Sequence, residues 1–90
     1  MIRTELPPAP DYLQNDDARA EWVRAGKYLL DAGALDELRL AYLELYCSFF
    51  GMVVMDMEAG NKPSNATLVQ LRAMQRAYGL PSLPAAHRVH

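Results

Sequence analysis

The sequence predicts an all-α chain of three helices, at about residues 15–32, 36–58 and 64–78, behind an extended proline-rich N-terminal arm. Three observations predict it. From Asp36 to Glu58 the apolar residues recur at spacings of three and four, which is helical periodicity. Glycines at 33, 60 and 79 stand where helical patterns stop. Prolines at 7, 8 and 10 cluster ahead of the first helical pattern. Ninety residues make one domain, 1–90, with 1–14 as the arm and 79–90 as a tail too weakly patterned to order by itself. A domain of that size buries only roughly 60 % of its unfolded surface, so its core is marginal and self-association is expected.

The arm is expected to be extended over Leu6 to Pro10, because proline fixes φ and keeps its predecessor out of the α region. Tyr12 and Leu13 are its expected anchor on the helices. The first helix follows a cap at Asn15 or Gln14, with Asp16 and Asp17 complementing the helix dipole in the first turn. Its apolar stripe is Ala18, Trp22, Ala25, Leu29 and Ala32, widened by Val23, Gly26 and Leu30. A tryptophan on such a stripe is a core residue before it is a base-stacking one. Gly33 closes the helix, and the short turn Gly33-Ala34-Leu35 makes the next helix an antiparallel neighbour or a tight corner.

Asp36 caps the second helix, which the rest of the chain is organised around. It carries two apolar lines: Leu35, Leu38, Tyr42, Leu45, Phe49 and Met52, and Leu40, Leu43, Cys47, Phe50, Val54 and Met57. One stripe suffices for a surface helix of a monomer. Two imply cover on both sides, so one face (Leu38, Tyr42, Leu45, Phe49) is expected on the first and third helices. The other (Leu40, Leu43, Cys47, Phe50, Val54, Met57) is the candidate subunit contact, and the pattern alone permits the reverse assignment. Gly51 permits either close helix approach or a bend. After the break at Gly60-Asn61-Lys62-Pro63-Ser64, the third helix places Leu68, Leu71, Met74 and Tyr78 on one face and Arg72 and Arg76 on another. Gly79 and Pro81 end it.

The net charge of −2 conceals a division. Residues 1–58 hold all 11 acids against five bases, and residues 59–90 hold Lys62, Arg72, Arg76 and Arg88 with no acid. Such a split marks either a nucleic-acid or partner surface or a basic tail that neutralises acidic helices within or between subunits. No apolar run approaches the roughly 18 residues of a membrane span, and no leader pattern opens the chain. Cys47 is the only cysteine, which excludes an intrachain disulfide and fits a reducing, cytoplasmic setting. Nothing in the sequence signals catalysis, a metal or a cofactor. His87 and His90 have no nearby carboxylate, and no phosphate loop or nucleophile elbow occurs.

The ordered series Pro8-Ala9-Pro10, Leu13, Ala18-Arg19-Ala20-Glu21-Trp22, Leu29, Gly33-Ala34-Leu35 and Tyr46-Cys47 resembles the small-subunit family of phage terminases. Downstream, Lys62-Pro63-Ser64-Asn65-Ala66 is similar to that family's helix start. Gly79-Leu80, Pro81-Ser82 and Arg88 are similar to its close. The likeness spans nearly all of residues 7–90. It implies a homo-oligomer, with a ring as its expected form, working in the host bacterium's cytoplasm. Such a subunit engages viral double-stranded DNA and regulates the large terminase subunit during genome packaging, and it is neither an enzyme nor a membrane protein. Lys62, Arg72, Arg76 and Arg88 are the DNA-contact candidates; the alternative is a helical interaction module without DNA contact. The chain departs from the family pattern at Arg39, where an acid is usual, at Asn65-Ala66, and at Leu83-Pro84, which looks inserted. Only six residues precede Pro7, where family members usually carry a basic segment. These differences bear on direct DNA contact more than on fold or assembly.

Overall fold

The computed structural model describes residues 1–80, and among them the secondary structure is entirely helical: α1 Asp16–Asp31, α2 Glu37–Glu58 and α3 Asn65–Tyr78. Each start is fixed by a side chain that takes orphan amide protons. Asn15 accepts from the amides of Asp17 and Ala18, Asp36 from that of Arg39 at 2.8 Å, and Ser64 from that of Thr67 at 3.1 Å. The amide bond from Arg39 also holds the Asp36 carboxyl below its usual pKa. At the end of α1, Gly33 adopts φ 67°, a left-handed conformation in which a Cβ is strained. Its N–H bonds Leu30 O at 3.0 Å, and the N–H of Ala34 bonds Leu29 O at 2.9 Å, which is a Schellman close. Gly60-Asn61 and Gly79-Leu80 make the same pair of bonds after α2 and α3.

Helix α2 is the middle layer, and α1 and α3 pack on it rather than on each other. The pairs Ala18–Gly51 and Glu21–Tyr46 run in opposite chain directions, as do Tyr46–Gln75 and Tyr42–Tyr78, so both contacts are antiparallel. Gly51 serves close approach: a Cβ there would stand 3.0 Å from the Ala18 Cβ. The core joins Leu13, Trp22, Ala25 and Leu29 to Leu35, Leu40, Leu43, Tyr46 and Cys47, and Leu71 and Leu80 close it from the α3 side. Trp22 lies in this core, whereas Val23, expected to widen the stripe, is 55 % exposed.

Residues 1–15 cross α1 through contacts that descend its length. The amide of Arg3 bonds Leu35 O at 2.6 Å, and Leu6 fills the space above Gly26. The Trp22 indole N–H donates to Pro7 O at 2.9 Å, and the Arg19 guanidinium donates to Pro10 O at 3.3 Å. Leu13 is buried, and the Tyr12 hydroxyl donates to Glu44 Oε1 at 2.6 Å.

By length and mean hydropathy α2 has the dimensions of a membrane span, which counting unbroken apolar runs does not reveal. Helices α1 and α3 cover part of it, and 33 % of its span-length apolar window is buried.

Candidate functional site

The packing assigns the two apolar lines of α2. Leu40, Leu43 and Cys47, expected at a subunit contact, lie in the chain's own core at 6 %, 0 % and 0 % exposure. Of the other candidates there, Phe50 and Val54 are half-buried and Met57 is exposed. The opposite line faces solvent: Leu38, Leu45 and Met52 are exposed, although Tyr42 and Phe49 remain half-buried. Tyr42 stacks on Tyr78 at 4.4 Å, which ties the edge of that line to α3. The core therefore takes Leu40, Leu43 and Cys47 from the line expected at a subunit contact, while from the other line Leu35 is buried, Phe49 packs on the core and Tyr42 on α3. The reason is Tyr46, which belongs to neither line and sits between Leu43 and Phe50 on the buried side.

Tyr46 is the centre of a buried polar cluster. Its hydroxyl donates to Glu21 Oε2 on α1 and accepts from Gln75 Nε2 on α3 at 2.9 Å. Glu21, 4 % exposed, also receives Arg24 through both of its oxygens, at 2.7 and 2.5 Å. Among the described residues, no buried side-chain nitrogen or oxygen lacks a partner. Burial, the Glu21 hydrogen bond and the Glu21 charge push the Tyr46 hydroxyl well above its usual pKa. The cluster ties the three helices together: Glu21, Tyr46 and Gln75 are buried, and Arg24 reaches the surface at its edge. Cys47 beside it is unreactive: burial, with the Glu21 charge second, pushes its thiol up to about 12. One signal could have located the cluster. Glu21 sits three residues after Ala18 and four before Ala25, so a carboxylate stands inside the apolar stripe of α1 and requires a buried partner.

The basic candidates lie together at the other end of the chain. Arg72 and Arg76 are one turn apart on the outer side of α3, and Lys62 is in the loop that leads to it. All three are exposed, and none enters an ion pair among the described residues. Arg88, with His87 and His90, lies outside the described residues. Among the described residues the ion pairs Arg3–Glu37, Arg24–Glu21 and Arg39–Asp36 all belong to the acidic part of the chain.

An open groove of about 720 Å³ runs between the start of α1 and the solvent face of α2. Met52 and Met55 form its apolar wall, and Asp16, Asp17 and Glu58 its acidic border. It leaves no sequence signal, because its walls come from segments 12–18 and 48–58, which are distant along the chain.

No protein-family model matches the chain, and neither a curated protein nor a solved structure does.

Proposed function

We propose that this chain is a DNA-packaging adaptor of the small-terminase-subunit kind. It works as an oligomer, binds viral double-stranded DNA through Lys62, Arg72, Arg76 and Arg88, and presents that DNA to a large subunit that does the chemistry. The observation that carries this reading is the state of the basic surface. Lys62, Arg72 and Arg76 are exposed and have no ion pair among the described residues, on and beside a helix without a single acid. The ordered motif series from Pro8 to Arg88 supplies the functional class. A single copy offers few phosphate contacts to DNA. Lys62 and Arg88, repeated around an oligomer, raise the effective concentration of each later contact.

The test is duplex-DNA affinity over a series of salt concentrations, for the native chain and for Arg72→Glu with Arg76→Glu. Two lost phosphate contacts reduce the slope of log K against log salt by nearly two units. Unchanged affinity and slope would show the assignment to be wrong.

A second reading, an interaction module without DNA contact, is favoured by the acidic border of the α1–α2 groove, which offers basic side chains a protein partner. Capture of a large terminase subunit, with no DNA retention at roughly 50 mM salt, selects it.

A further inference from the structure

We propose that α3 of one copy of this chain seats in the α1–α2 groove of a second copy. Val69 and Ala73 lie against Met52 and Met55, and Arg72 and Arg76 approach Asp16, Asp17 and Glu58. The contact rests on the oligomeric reading given above and specifies its surfaces.

The groove calls for a helix. Met52 and Met55 are 65 % and 58 % exposed, large unbranched side chains that adapt to whatever packs on them. The exposed line continues along α2 through Leu45 to Leu38, and the step of seven residues between Leu38, Leu45 and Met52 is the spacing of a helix-on-helix seam.

Charge selects which helix. Asp16, Asp17 and Glu58 are exposed, and none enters an ion pair among the described residues. Glu37 and Glu44 flank the same seam at seven-residue steps counted back from Glu58 through Gly51. A second α2 laid on this seam would oppose acids to acids, which is costly in a desolvated contact. Helix α3 is the chain's complement. It has no acid, and Val69, Ala73 and Arg76 follow one another at spacings of four and three on its exposed side, with Arg72 at the edge. Val69 is 60 % exposed among the described residues. The two surfaces differ, so the contact is head-to-tail, and it closes into a ring where the rotation per copy allows. On any one copy Arg72 and Arg76 serve the neighbour or DNA but not both, so duplex DNA competes with assembly.

Sedimentation equilibrium in the absence of DNA, at tens of micromolar chain, tests the contact. The native chain is expected to be oligomeric. Arg72→Glu with Arg76→Glu is expected to be monomeric, and so is Asp17→Lys with Glu58→Lys. The chain carrying all four substitutions, with the charges exchanged, is expected to regain the oligomer. Far-UV circular dichroism melts of each variant confirm that the helices persist; a variant that does not fold is replaced by Val69→Gln or Met52→Gln, each expected to weaken association about tenfold. A native monomer, an oligomer indifferent to both charge reversals, or a four-fold variant that stays monomeric would overturn the proposal. Loss of DNA binding with the oligomer intact would remove the DNA reading and leave this contact standing.

Discussion

The hydroxyl of Tyr46 on α2 donates into the carboxylate of Glu21 on α1, and Gln75 of α3 donates to that same hydroxyl. Three helices thus share one buried oxygen. Tyr46→Phe leaves the Gln75 amide without its acceptor and Glu21 with Arg24 alone. The substitution is expected to cost about 1–3 kcal/mol in urea unfolding. Glu21→Ala, which removes the acceptor of the Tyr46 hydroxyl and the carboxylate that Arg24 pairs with, is expected to cost at least as much.

At Gly51, helix propensity and packing oppose each other. Alanine gains about 1 kcal/mol of propensity, but its methyl would stand 3.0 Å from the Ala18 Cβ, a position fixed by the backbone of α1. Overpacking of that kind costs about 1–3 kcal/mol. Gly51→Ala is therefore expected to lower the thermal midpoint, and Ala18→Gly in the same chain to recover part of the loss by returning the space.

Alkali acts through two groups on adjacent residues. The fold holds the Cys47 thiol and the Tyr46 hydroxyl in their neutral forms, with pKa values raised above those of the unfolded chain. Between pH 9 and about 12 the unfolded chain gives up the Cys47 proton while the folded chain retains it. Stability is fully present below pH 9 and falls as pH rises, by up to about 1.4 kcal/mol per pH unit from this group. Tyr46 adds to the decline above about pH 10. Urea midpoints measured across that range are expected to fall less steeply for Cys47→Ala. At neutral pH a thiol reagent is expected to label Cys47 only as fast as the chain opens.

Residues 1–10 cover Trp22, whose indole N–H is held by Pro7 O. Deleting them is expected to shift Trp22 fluorescence to the red and to lower stability, since Leu6 and the Pro7 contact are lost together. An unchanged emission maximum would show that this segment does not shield the ring.

The helices were legible because their punctuation is local. Asn15, Asp36 and Ser64 accept amide protons within three residues, and Gly33 and Gly79 turn left-handed where the apolar pattern ends. The orientation of α2 was not legible. Its two apolar lines are similar in size and hydropathy, and the choice between them is made by Tyr46 and by Glu21, a charge that composition places at the surface. The basic candidates were legible as a charge division. The groove bordered by Asp16, Asp17 and Glu58 was not, because it exists only once α1 and α2 are set side by side.

Helices α1 and α3 meet only through α2, so the chain is mechanically a series rather than a triangle. Detaching α3 would uncover Leu71, Leu80 and the stacked face of Tyr42 while leaving Trp22, Ala25 and Leu29 seated on their side of the core. The far helix would register the loss of the terminal link only through the Tyr46 hydroxyl, which would lose Gln75 and keep Glu21. Amide hydrogen exchange is expected to record this as two tiers of protection, shallow along α3 and deep along α1 and the middle of α2.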